Sequence, residues 1–257
     1  GGDEFVIILH DLEKNPTKAG IVADSIAQEL KELISQPCYL YNDSTDSILE
    51  YEVTGSMGIV IFPSESDSPE SIIKLADMAL YKAKEDGRDS CVSFKQEMQQ
   101  DLDNTIMMQR DLKKAVNDEL LELYFQPKYD QHLNLFGAEG LVRWHSELKG
   151  DIPPTEFIEV AEESNLILPL GDWVLKQACR QLDIWSKHPV FSRLNLAVNI
   201  SAKQIWQNNF VDSVEQLIQG SCFCPSLLTL EITESVMVRD FQETIKKLQR
   251  LKDIGVR

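Results

Sequence analysis

Apolar residues recur along the chain at two different periods, and the switches between them mark out the elements. In residues 17–35, Ala19, Val22, Ile26, Leu30 and Leu33 recur every three or four positions. This predicts an amphipathic helix ended by Pro37. Ile72, Leu75, Ala76, Ala79, Leu80 and Ala83 predict a second helix over 70–85, with Gly87 placed to stop it. Between and around these helices, short apolar runs over 6–9, 38–41, 50–62 and 90–94 predict strands. The Gly1-Gly2 pair before the first run signals a tight hairpin turn. Residues 42–46 form an acidic loop between the second and third runs. Gly55 and Gly58 inside the third predict a bulge or a close backbone approach.

Residues 95–104 are polar and hold neither Gly nor Pro, so a helical connector is expected there, between a domain over 1–95 and another over 105–257. Beyond it the pattern alternates. A helix over 105–118 leads into strands over 121–129 and 133–144. Helices over 155–164 and 170–187, a strand over 194–200, a helix over 210–219, a strand over 227–232 and a helix over 241–254 follow. Leu194, Leu196, Ala197 and Val198 make one strand apolar on both faces, which predicts a parallel sheet covered by helices. A closed barrel of this kind needs about 250 residues, and only about 150 follow the connector. The reading therefore expects the chain to open and close inside domains.

The densest chemistry lies in Gly137-Ala138-Glu139-Gly140-Leu141-Val142-Arg143-Trp144. On a strand, Glu139, Leu141 and Arg143 share one face. A carboxylate and a guanidinium there need partners. They form either a salt-bridged strand or a site in which Glu139 holds a metal and Arg143 a phosphate.

Charge and composition narrow the partners. The net charge of −17 disfavours nucleic-acid polymers and anionic membranes, so a phosphate-bearing ligand must be met by local cations or metal. Hydrophobic content of 43% indicates an ordinary globular chain, and no apolar run is long enough to span a membrane. The five cysteines form no disulfide framework, and Cys222-x-Cys224 reads as loop packing. The histidines His10, His132, His145 and His188 are scattered. A reducing, cytoplasmic setting is expected.

Several blocks resemble known families. Gly1-Gly2-Asp3-Glu4-Phe5, residues 53–59 and residues 76–88 occur in the order found in the GGDEF family of diguanylate cyclases. Tyr124-Phe125-Gln126-Pro127, the Gly137–Trp144 block, residues 154–158, Val198-Asn199-Ile200-Ser201 and Leu230-Glu231-Ile232-Thr233-Glu234-Ser235 resemble the EAL family of cyclic di-GMP phosphodiesterases. The fold implied is α/β: the C-terminal part of a GGDEF α+β cyclase-like domain, then the N-terminal part of an EAL-type (β/α)8 barrel similar to a TIM barrel.

The first resemblance implies that two GTP molecules are joined to give cyclic di-GMP, which brings two such domains face to face in a homodimer. Gly1 and Gly2 would let the backbone approach phosphates, Asp3 would hold Mg²⁺, Glu4 would assist the metal or 3′-hydroxyl deprotonation, and Lys84 and Arg88 would grip the triphosphate. Without that resemblance Lys84 and Arg88 read as a solvated helix end. The second implies hydrolysis of cyclic di-GMP with Mg²⁺ or Mn²⁺ held by Glu139, Asn199 and Glu231, and cyclic di-GMP contacts from Gln126, Leu141 and Arg143. Asn199 alone reads as a strand-end hydrogen bonder.

Two departures from the EAL pattern stand out. Gly140 occupies the position of the family alanine, a mild change that removes no ligand. An Asp-Asp block with a second metal site, a lysine and a later glutamate is expected beyond Arg257, so residues 1–257 alone are expected to have little phosphodiesterase activity. The implied role is bacterial signal transduction through cyclic di-GMP. The alternative is an inactive domain pair that senses GTP or cyclic di-GMP. Anchoring of a longer parent in the inner membrane stays open.

Overall fold

The computed structural model describes residues 4–42, 47–62, 68–146, 149–232 and 241–257. Gly1, Gly2 and Asp3, most of the acidic loop over 42–46, and Thr233, Glu234 and Ser235 lie outside the described residues. The chain divides into two compact units, Gly1–Asn104 and Thr105–Arg257.

In the first unit, helix α1 (Pro16–Ile34) starts where Asn15 Oδ1 accepts from the Thr17 and Lys18 amides at 3.0 and 3.2 Å, with Pro16 in the first turn. Its buried face is Ala19, Ala23 and Ala27. The predicted stripe shares only Ala19 with that face, and Val22 and Leu33 are 36% and 61% exposed. Small side chains let α1 lie close against its sheet neighbours, a packing choice that spacing alone does not reveal.

Strands β1 (Cys38–Asn42) and β2 (Ser47–Tyr51) form an antiparallel hairpin. The strand predicted over 50–62 is not one element. Its start belongs to β2, and only β3 (Met57–Ile59) continues it, paired in parallel with β4 (Cys91–Ser93). Helix α2 (Pro69–Glu85) makes the crossover between them. Gly58 is the close approach: a Cβ there would sit 2.2 Å from Ala76 O and 2.4 Å from Leu80 N. A Cβ at Gly55 would touch only the Ile34 side chain, at 3.5 Å. Residues 5–9 form no strand and are exposed, so the predicted apolar run lacks a ladder partner among the described residues.

The predicted connector and the helix after it are one element, α3 (Gln96–Asn117), since nothing in its sequence interrupts the backbone hydrogen bonds. The second unit is built on one sheet. Strands β5 (Leu121–Tyr129), β6 (Leu135–Ser146), β8 (Asn195–Ile200) and β9 (Leu228–Ile232) lie in that order, with short β7 (Gly150–Ile152) also on β6. The β6–β8 and β8–β9 pairs are parallel, as the alternating pattern implies. The β5–β6 pair is antiparallel, so the sheet is mixed rather than wholly parallel. Among the described residues β5 pairs on one side only, which accommodates Pro127 in its ladder.

Helices α4 (Pro154–Glu163), α5 (Ile167–Ser186) and α7 (Phe210–Gln219) cover one sheet face. Helix α5 begins three residues earlier than the sequence suggests. Pro169 falls in its first turn, where a missing amide removes no helical hydrogen bond. Phe157 is fully buried and meets Trp144 edge-on with ring centroids 5.7 Å apart. Leu196 and Val198 supply the strand side of this core. The short helix α6 (Ala202–Ile205), held by a Ser201–Gln204 capping box, has no signal in the apolar pattern. Helix α8 (Phe241–Ile254) spans the predicted residues.

Candidate functional site

Strand parity and register decide what the second face of this sheet carries. Gln126 stands opposite Glu139, Tyr124 opposite Leu141, and Lys128 opposite Gly137. Glu139 lies beside Ala197, and Asn199 beside Glu231. Residues paired across a ladder share a face, as do residues two apart on a strand. Gln126, Lys128, Glu139, Leu141, Arg143, Asn199 and Glu231 therefore all stand on the face turned away from α4 and α5.

Four of these side chains meet. Asn199 Nδ2 donates to Glu139 Oε1 at 2.8 Å. Lys128 Nζ donates to Glu231 Oε1 at 2.6 Å and lies 3.6 Å from Glu139 Oε2. Lys128 thus ties together carboxylates from β6 and β9, two strands that β8 separates. The Glu231 hydrogen bond, reinforced by the charges of Glu231 and Glu139, holds the Lys128 ammonium above the ordinary lysine range against the opposing effect of burial.

Lys128 is the residue the sequence reading missed. Its signal was available: it is two positions after Gln126 on a strand, and parity puts it on the same face.

The Glu139–Arg143 salt bridge is not formed. Four residues of strand separate the two by about 13 Å along the chain. Arg143 instead donates from a guanidinium nitrogen to Val142 O at 2.9 Å, with its carbon 5.9 Å from the Tyr124 ring centroid. Gln126 is exposed, and Leu141 and Arg143 are half-buried on the same face.

The donor set suits a hard divalent cation: two carboxylates and an amide on three successive parallel strands, partly open to solvent. Among the described residues no three His, Cys, Asp or Glu side chains group to hold a metal. Cys222 and Cys224 are exposed thiols rather than packed ones. Cys224 Sγ lies 3.1 Å from Ser226 Oγ, and that hydrogen bond lowers its pKa. No helix among the described residues is long and apolar enough to cross a membrane.

In the first unit, Lys84 is exposed in the last turn of α2. The helix ends at Glu85, and Gly87 (φ 105°), Arg88 (φ 63°) and Asp89 (φ 46°) all take left-handed backbone. Arg88 therefore lies just past the end of the helix whose last turn carries Lys84. Lys31 of α1 steadies the turn by donating to Asp89 O at 2.8 Å. Glu4 is exposed.

Comparison with known proteins matches this geometry to a family. Residues 109–257 match the EAL domain. The chain belongs to the EAL-domain family. Residues 1–90 match the diguanylate cyclase GGDEF domain, so a GGDEF and an EAL region stand in tandem. An uncharacterized signaling protein of Caulobacter vibrioides is 36% identical over 258 residues, covering 100% of this chain and 30% of that protein. The bifunctional diguanylate cyclase/cyclic di-GMP phosphodiesterase MucR of Pseudomonas aeruginosa is 34% identical over 257 residues, covering 100% of this chain and 36% of its own length. The chain spans about a third of the length of these relatives. The solved PaMucR phosphodiesterase in complex with c-di-GMP is similar at a TM-score of 0.54 and 37% identity, over 58% of this chain and 61% of that one.

Within the EAL region, Gly140 lies on the core side of β6. A Cβ there would meet Val198 Cγ1 at 3.2 Å and Leu123 Cδ1 at 3.4 Å, away from the carboxylates.

Proposed function

We propose that the EAL region hydrolyses cyclic di-GMP to a linear dinucleotide in a metal-dependent reaction, and that the GGDEF region serves cyclic di-GMP synthesis from GTP. The convergence of Glu139, Asn199 and Glu231 on one sheet face carries this reading. Relatives named as cyclic di-GMP phosphodiesterases support it, MucR and PdeR among them.

Glu139, Asn199 and Glu231 would hold Mg²⁺ or Mn²⁺. Such a cation supplies a polarised phosphate and a water of lowered pKa. Arg143 and Gln126 would orient the phosphates, and Leu141 would bear on the ligand from the same face. Arg143 is placed by its Val142 hydrogen bond and the Tyr124 ring.

In the GGDEF region, Gly1, Gly2, Lys84 and Arg88 would receive the triphosphate, with Asp3 and Glu4 at the metal. Synthesis from two GTP calls for a homodimer, and GTP as substrate places the reaction in the cytoplasm. We assign the domains to 1–95 and 105–257, with 96–104 as a helical connector. Signalling through cyclic di-GMP follows from the two regions together.

The test is turnover of cyclic di-GMP and of GTP by the full-length parent protein with Mg²⁺ or Mn²⁺, read by chromatography. Linear dinucleotide should form and should be abolished by Glu139→Gln. Cyclic di-GMP binding without turnover would overturn the hydrolase and point to a sensor, with Arg143→Ala used to locate the binding face.

A further inference from the structure

We propose that Lys128 is a built-in competitor for the divalent cation, so that metal enters the EAL region by exchange with the lysine ammonium. This rests on the reading of Glu139, Asn199 and Glu231 as metal ligands.

The geometry leaves little alternative for a shared occupant. Lys128 Nζ sits 2.6 Å from Glu231 Oε1 and 3.6 Å from Glu139 Oε2, so one cation already bridges the carboxylates of β6 and β9. Mg²⁺ binds carboxylate oxygens at about 2.0–2.1 Å. A dication at that distance from the same oxygens would face the ammonium at close range, and like charges in a half-buried site repel strongly. The other oxygen of Glu139 accepts from Asn199 Nδ2, so both oxygens of this carboxylate are engaged.

Lys128 is also built to leave. It stands opposite Gly137 near the end of β5, and the β5–β6 register shifts just after it. Its side chain is 30% exposed, and a lysine stem reorients freely. With the ammonium in place, the two carboxylates are held together and partly neutralised. With a dication in place, the ammonium is expelled toward the open face, on the side where Gln126 and Arg143 stand.

Mn²⁺ affinity of the protein without nucleotide tests this, by calorimetry or by the electron paramagnetic resonance signal of free Mn²⁺. Lys128→Met should bind Mn²⁺ about two- to fivefold more tightly, the range expected for removing a competing, partly solvated ion pair. Lys128→Gln serves as a second neutral variant should the methionine disturb folding, judged by circular dichroism. Lys128→Arg, which keeps the charge, should stay near the wild-type affinity. A purely structural lysine would give no such split between neutral and charged replacements.

Glu139→Gln is the control for the underlying reading and should weaken Mn²⁺ binding sharply. Unchanged or weaker binding in both neutral variants, with Glu139→Gln still impaired, would overturn the exchange and leave the metal ligands standing. Full Mn²⁺ binding by Glu139→Gln would overturn the metal reading and the exchange with it.

Discussion

Asn199 donates to Glu139 across 2.8 Å, joining residues sixty positions apart on adjacent parallel strands. That bond orients the Glu139 carboxylate, and it leaves the amide oxygen of Asn199 as its remaining donor atom toward a cation. Glu139 without Asn199 is a carboxylate with one fewer constraint on its rotamer, and Asn199 without Glu139 is an exposed strand-end amide.

Asn199→Ala should therefore lower Mn²⁺ affinity by about 10–100-fold, the usual effect of losing a group that ligates or orients a ligand. Stability should change by no more than about 0.5 kcal/mol, because the side chain is exposed. Calorimetric titration with Mn²⁺ beside denaturant unfolding reads both quantities. Undiminished affinity would remove Asn199 from the site.

Gly140→Ala and Gly58→Ala should behave oppositely. At Gly140 the new methyl meets side-chain carbons of Val198 and Leu123 at 3.2 and 3.4 Å, which can yield, and it points away from the carboxylates. Stability should stay within about 1 kcal/mol of the parent, and Mn²⁺ binding should be unaltered. At Gly58 the methyl meets the backbone of α2 at 2.2 and 2.4 Å, which cannot yield without moving the helix. A loss of about 1–3 kcal/mol or more is expected, read by denaturant unfolding of the two variants in parallel. Equal tolerance at both glycines would contradict this packing.

The β5–β6 turn should loosen in acid. Asp130 Oδ1 accepts from the His132 and Asn134 amides at 2.8 and 2.9 Å, and Oδ2 accepts from Asn134 Nδ2 at 3.1 Å. The Asn134 backbone hydrogen bond is the main cause that holds the Asp130 pKa below the ordinary aspartate value. A depressed folded-state pKa means the unfolded chain binds the proton more readily. The stabilisation is thus present above the unfolded value of about 3.9 and is lost as pH falls through the lower folded value. Amide hydrogen exchange at His132 and Asn134 should be slow near neutral pH, after correction for intrinsic rates, and faster below about pH 4. Asp130→Ala should show the fast exchange at every pH, and a variant as protected as the parent would dismiss the role.

Much of the second unit is legible in the sequence, because its elements are bounded by strong local signals. Residues 121–129 alternate over a full strand, and 210–219 and 241–254 hold a helical period, and the structure places β5, α7 and α8 at those positions. The first unit is less legible. Its α1 buries alanines rather than the larger residues of the predicted stripe, since what decides the buried face is how closely the sheet can approach. The strand over 50–62 divides because its two ends find different partners, and partner choice is not a local property.

The order of residues along the chain sets the chemical types and their parity: acid at 139 and 231, amide at 199, base at 143, each on an apolar strand that can turn only one face to a given side. Tertiary structure decided which of them touch. It drew Glu139 to Asn199 and Lys128 rather than to Arg143, and it brought Glu231 onto the same lysine. The reason is distance. Four residues along one strand span about 13 Å, whereas neighbouring strands lie only about 4.8 Å apart, so the contacts that assemble the candidate site run across the sheet and not along the chain.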